Sequence, residues 1–134
     1  MFNQVTIELA ERTLKALYPD VDLSAVDWEW EEEGAILEAE FAIDGHSYEV
    51  EIDVSGEHLA TESDVTIEDL PMPVLLQVKE MYPEFSIVEA EKVDYPAKTI
   101  YEMELTDEDG HTVTVLFRPD GKMIIPGPSG TLYI

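Results

Sequence analysis

Four glutamates have the most suggestive spacing in this sequence. Glu38 and Glu40, then Glu49 and Glu51, stand two residues apart within each pair, on either side of Asp44-Gly45. Two carboxylates several Å apart are the machinery of glycoside hydrolysis. That chemistry needs surroundings that push two pKa values apart, usually an apolar pocket. Regular strand alternation predicts no such pocket, so no catalytic residue is assigned. Calcium would need six to eight oxygen ligands from a loop rich in Asp or Asn. Asp107-Glu108-Asp109-Gly110 comes nearest and reads better as a hairpin turn. His46 and His111 each follow an Asp-Gly pair, at equivalent turns too far apart to share a metal, and with His58 they read as small polar turn-exit residues. The sequence has no Gly-rich phosphate loop, no His-Glu-x-x-His and no Gly-x-Ser-x-Gly. Neither a metal nor a cofactor is expected.

The charge narrows the classes of partner. Among 134 residues, 31 Asp and Glu oppose 7 Lys and Arg, a formal net charge of −24. Such a chain repels nucleic-acid backbones and anionic membrane surfaces, and suits a basic partner or cations. Its hydrophobic fraction of 45% is ordinary for a folded domain, which argues against disorder. Without cysteine there is no disulfide framework and no thiolate site. No stretch approaches the roughly 18 to 20 apolar residues of a membrane span. The start, Met1 to Glu8, lacks a basic n-region and an apolar h-region, so the chain is expected to be cytoplasmic or to have a leader outside this sequence.

Behind these residues lies an internal repeat. Leu14-Lys15-Ala16-Leu17-Tyr18-Pro19 returns as Val78-Lys79-Glu80-Met81-Tyr82-Pro83, and Leu37-Glu38-Ala39-Glu40-Phe41 as Tyr101-Glu102-Met103-Glu104-Leu105. Asp44-Gly45-His46 returns as Asp109-Gly110-His111, and Ser55-Gly56 as Asp120-Gly121. Four blocks in one order predict a tandem duplication.

Each copy opens with a helical pattern. Ile7, Ala10, Leu14 and Leu17 share one face, and Pro19 ends the run, giving a helix over about 4–17. Pro73 suits the first turn of a second helix that ends before Pro83, over about 73–81. The period then drops to two, which marks strands. Val26, Trp28 and Trp30 alternate with Asp27, Glu29 and Glu31; Leu37, Ala39, Phe41 and Ile43 alternate with Glu38, Glu40 and Ala42; Tyr48, Val50, Ile52 and Val54 alternate with Ser47, Glu49, Glu51 and Asp53. The two tryptophans share a face with Val26, which favours a place beneath the helix over a recognition platform.

The same alternation puts Glu38, Glu40, Glu49 and Glu51 together on the face away from the helix. Like charges on neighbouring strands repel unless solvent, cations or a basic partner relieves them. In the second copy Ile100, Glu102 and Glu104 are joined by Thr112, Thr114, Leu116 and Arg118, a less acidic and partly apolar face.

The ordered set Tyr18-Pro19, Trp28-Glu29, Glu38-Ala39-Glu40-Phe41, Asp44-Gly45-His46-Ser47-Tyr48 and Ser55-Gly56 resembles the PepSY-like, β-lactamase-inhibitor-like family. Glu89 to Val93 and Phe117 to Lys122 resemble its second repeat. The likeness spans roughly residues 5 to 125. It implies two helix-plus-sheet repeats, secretion to the bacterial envelope, and binding in place of catalysis. The chain departs from that pattern with His46 where Lys is usual, and in the Pro126-Gly127-Pro128-Ser129-Gly130 spacer before Thr131-Leu132-Tyr133-Ile134.

These readings combine into definite expectations. The fold is α+β: two tandem repeats, 1–64 and 65–125, each a helix packed on an antiparallel meander of about four strands, with the sheets side by side or continuous and the helices on one face. A tail over 126–134 is a candidate edge strand and dimer contact. The function is a non-catalytic periplasmic binding module, or a protein inhibitor, that meets a protein or peptide with a basic patch through Glu38, Glu40, Glu49, Glu51, Ile100 and Leu116. The alternative is an acidic mimic of nucleic acid that occupies a DNA- or RNA-binding protein; a third reading gives the charge only to solubility.

Overall fold

The computed structural model describes residues 4–125. The expected tail strand, Thr131 to Ile134, lies outside the described residues. The helix α1 spans Gln4–Leu17 and is followed by strands β1 (Asp27–Glu31), β2 (Ile36–Ile43), β3 (His46–Asp53) and β4 (His58–Asp64). The helix α2 spans Met72–Met81 and is followed by β5 (Ser86–Tyr95), β6 (Lys98–Thr106), β7 (Thr112–Phe117) and β8 (Met123–Ile124). Single 3₁₀ turns lie at Leu23–Ala25, Glu32–Gly34 and Ile67–Asp69.

The expected α+β pair of helix-on-meander repeats is corrected here. All eight strands belong to one sheet in the order β1 to β8, and strand outweighs the two helices, so the architecture is one mostly β antiparallel sheet. Alternation of side chains identifies a strand and its two faces. It carries no information on where a sheet stops, because any edge strand offers open N–H and C=O groups to the next one. The helix limits themselves were legible, since proline terminates both patterns.

By its internal contacts the chain divides into two compact units, Met1–Ser63 with Asp94–Ala97, and Asp64–Val93 with Lys98–Ile134. In the first, Ala10 and Leu14 of α1 pack with Leu37, Ala39, Val50 and Ile52, all fully buried. Tyr18, Phe41 and Tyr48 form a ring cluster with centroids 5.1 to 5.5 Å apart. Thr13 Oγ1 donates to the Gly56 carbonyl and ties α1 to the β3–β4 turn. Trp28 and Trp30 are half-buried against this core, as their shared face with Val26 predicts.

In the second unit Val74 and Val78 of α2 pack with Leu70, Ala90, Tyr101, Met103, Leu105, Val115 and Phe117. A side chain at Gly121 would place Cβ 2.6 Å from the Pro73 carbonyl oxygen, and its φ of +91° already lies in the left-handed region. Glycine is therefore required where the β7–β8 turn meets the first turn of α2.

Candidate functional site: a carboxylate face on the first unit

Strand register sets the site. Across β2 and β3, Glu38 lies opposite Glu51 and Glu40 opposite Glu49. Across β1 and β2, Glu29 lies opposite Glu38 and Asp27 opposite Glu40. Glu62 on β4 pairs with Glu49. Two transverse rows follow, Asp27–Glu40–Glu49–Glu62 and Glu29–Glu38–Glu51. Hairpin chemistry fixes this register, because Asp44 (φ 51°) and Gly45 (φ 81°) take the left-handed conformations of a tight two-residue turn. At the far end of β3 the Asp53 carboxylate accepts from the Ser55 and Glu57 amides at 2.9 and 3.0 Å. The Ser55 hydroxyl and these backbone bonds hold Asp53 below its ordinary pKa.

The carboxylates crowd. Oxygens of Glu29, Glu31 and Glu38 all approach within 4.8 Å of one another, as do those of Glu38, Glu40 and Glu49, so Glu38 belongs to both triads. Partial burial, a hydrogen bond with the Glu31 carboxyl, and repulsion from Glu31, Glu49 and Glu51 push Glu38 up to about 7. Burial first, then the charges of Glu31, Glu49 and Glu32, raise Glu51 as well. The connection after β1 adds to this crowding, for Glu32 and Glu33 take φ of 50° and 56° before Gly34. Two consecutive left-handed glutamates are a strained arrangement.

The sequence-based expectation concerned an apolar pocket; the rise at Glu38 comes instead from partial burial and crowding by other carboxylates, which separate it from its neighbours. What that separation can do chemically is limited by its setting. A general acid works on a substrate held beside it, and Glu38 lies on an open sheet face flanked by other acids. The arrangement is suited to holding cations or cationic side chains against several carboxylates at once.

The face is wider than the four predicted glutamates. Asp27, Glu29, Glu31 and Glu62 join it, and their alternation with Trp28, Trp30 and Thr61 was the available signal. A broader signal was also present: between Lys15 and Lys79 the sequence places 18 Asp and Glu residues and neither Lys nor Arg. Neither Lys nor Arg is present in that stretch to neutralise the face.

The remaining predicted contact residues lie in the second unit, where Leu116 is half-buried opposite Glu102. Ile100 is only 2% exposed and contributes no contact surface, a correction to its expected role. Nor is this unit's face as neutral as expected, because β5 adds Glu89 and Glu91 beside Glu102, Glu104 and Thr114 around a small opening of about 90 Å³. The Asp107 loop is the hairpin turn that its sequence suggests. Asp107 Oδ1 accepts from the Asp109 and His111 amides at 3.0 and 2.9 Å, and Oδ2 lies 3.0 Å from His111 Nδ1. His58 Nε2 lies 2.7 Å from Thr61 Oγ1, a structural contact within β4.

No protein-family model matches the sequence, and no curated protein matches it. Solved structures do. A DUF2874 family protein of Bacteroides uniformis superimposes with a TM-score of 0.77 at 22% identity, covering 87% of this chain and 85% of that one. A BLIP-like protein of Bacteroides fragilis gives a TM-score of 0.75 at 25% identity, over 88% and 82% of the two chains. A candidate periplasmic protein of Bacteroides eggerthii gives 0.75 at 18% identity, over 87% and 84%. The chain is thus similar in fold to BLIP-like and DUF2874 proteins across most of its length. Among the described residues no helix is long and apolar enough to cross a membrane.

Proposed function

We propose that this chain is a non-catalytic binding module of the bacterial envelope, built on a PepSY-like duplication. Its carboxylate face captures a protein or peptide through a patch of Lys and Arg. The observation that carries this reading is the register that sets Glu38 against Glu51 and Glu40 against Glu49, extended by Asp27, Glu29 and Glu62, with neither Lys nor Arg on these strands. Mutual repulsion makes the unbound face costly, and an arriving cation relieves several charges together. Where the captured patch lies at an enzyme's active site, capture amounts to inhibition. Support for the envelope setting comes from the periplasmic description of one structural neighbour and the BLIP-like description of another.

The test is capture from envelope and cytoplasmic fractions with the wild-type chain and with Glu38, Glu40, Glu49 and Glu51 all changed to Lys. The reading expects a partner held by the wild type, released by salt and lost with the variant. Equal capture by both chains would overturn it. A partner set made up of nucleic-acid-binding proteins would favour the acidic mimic instead.

A further inference from the structure

The second unit contains a different kind of site. The end of α2 and the beginning of β5 border an apolar groove of about 520 Å³, lined by Ile67, Leu75, Tyr82, Phe85 and Ile87, with the exposed Lys79 beside them. That volume falls within the range of small-molecule pockets, in which a few polar groups orient a mainly apolar ligand. Tyr82 packs edge-on against Phe85, with ring centroids 5.7 Å apart, so the wall at that end is aromatic. Lys79 has no hydrogen bond or ion pair among the described residues.

The first unit shows what closes such a corner. Lys15 precedes Tyr18 by three residues, as Lys79 precedes Tyr82. There the ammonium donates to the Val21 carbonyl at 2.8 Å, Val21 is buried, and Leu23 and Val26 pack on the core. A connection of nine residues between α1 and β1 supplies those side chains, whereas only Tyr82 to Phe85 separate α2 from β5. The second unit has the same lysine without its carbonyl acceptor, beside an apolar wall without its cover.

We propose that this groove binds a single-chain amphiphile with a carboxylate head, the chemistry of a medium-chain fatty acid. The acyl chain lies along Leu75, Phe85 and Ile87, and the head meets the Lys79 ammonium and the Tyr82 hydroxyl. Charge complementarity selects this occupant, since an unengaged cation is scarce in a chain with 31 acids and 7 bases. The net negative charge opposes an approaching anion at long range, yet that field is screened over about 8 Å at physiological ionic strength. A charge pair beside an apolar wall is screened far less.

The experiment is calorimetric titration of the whole chain at pH 8 with dodecanoate, kept below its micelle concentration, and with dodecyltrimethylammonium. Dodecanoate is expected to bind saturably at one site, and decanoate about fifteenfold more weakly, since two fewer methylenes are buried and each is worth about fourfold. Lys79→Gln should weaken dodecanoate about tenfold, as loss of a hydrogen bond to a charged group does. Lys15→Gln, in the first unit, should leave it unchanged. Lys79 also suits the carbonyl end of α2, so melting curves of both variants accompany the titrations, and a structural role alone would move the melt and leave affinity intact. Absence of saturable binding, equal affinity for the cationic chain at a site from which dodecanoate displaces it, or insensitivity to Lys79→Gln would each overturn the proposal. So would a dimer in sedimentation that Ile67→Ser dissociates and dodecanoate does not, which would assign the groove to a second copy.

Discussion

Glu38 faces Glu51 directly across the β2–β3 pair, and its carboxyl lies within 4.8 Å of those of Glu29 and Glu31 on the neighbouring strand. Partial burial and this crowding of carboxylates favour the protonated form of Glu38 and raise its pKa. Stability and protonation are thereby linked on this face.

The sign of that linkage follows from the two pKa values. Glu38 titrates near 7 in the folded chain against an ordinary 4.5, and Glu51 shifts in the same direction. Between those limits the folded state binds more protons than the unfolded one, so stability rises as pH falls from 7 to 4.5 and the full penalty is present above 7. Thermal melts across pH 4.5 to 8 should show this rise, and Glu38→Gln should flatten it. A wild-type melting temperature that falls on acidification through this window would contradict the assignment.

At pH 8 Glu38→Gln should also stabilise the chain, because it removes a charge from two crowded triads while keeping the side chain's length. The gain is expected at about 0.5 to 1 kcal/mol, the scale of a cross-strand pair. Denaturant unfolding at pH 8 measures it, and a destabilised variant would show that the carboxylate has a structural partner.

Salt provides an independent handle on the same repulsion. The Debye length shortens from about 10 Å at 0.1 M to about 3 Å at 1 M. Melting temperature should therefore climb with sodium chloride, and the climb should shrink in the Glu40→Gln, Glu49→Gln double variant. A slope that the double variant leaves unaltered would place the dominant repulsion elsewhere.

Two turn glycines should respond differently to alanine. Gly121→Ala meets both a left-handed φ and a contact of 2.6 Å with the Pro73 carbonyl, whereas Gly45 has a left-handed φ of +81° and no atom within 4 Å. Gly45→Ala is expected to cost about 1 kcal/mol and Gly121→Ala about 3 kcal/mol or more. Equal costs from chemical denaturation would mean that α2 moves aside at Pro73.

In the core, Leu14→Ala should destabilise the chain by about 2 to 5 kcal/mol, since Leu14 is fully buried against β2 and β3. A loss below 1 kcal/mol in equilibrium unfolding would mean that α1 contributes little to the first core.

Local physics explains which features could be read from residues alone. Pro19 and Pro83 end helices through sterics that any sequence shows, and Asp44-Gly45 fixes a turn through φ. Alternation then assigns Glu38, Glu40, Glu49 and Glu51 to one face. Continuity of the sheet was not legible, because backbone pairing between strands leaves no mark on side-chain period. Ile100 was misplaced for a related reason, since period two says which face a residue takes and leaves open whether that face is covered. The approach of Glu31 to Glu38 depends on register between β1 and β2, which are joined by the strained Glu32–Glu33–Gly34 connection, and no turn motif announces that conformation.

The long stretch that builds the carboxylate strands also alters the chain's exposure to proteolysis. Between Lys15 and Lys79 an enzyme that cuts after Lys or Arg finds no susceptible bond, in the folded chain or the unfolded one. Complete tryptic digestion would leave β1 to β4 together on one peptide, Ala16 to Lys79. The composition that makes the face costly in repulsion thus makes the segment resistant to trypsin-like enzymes even when its fold is lost.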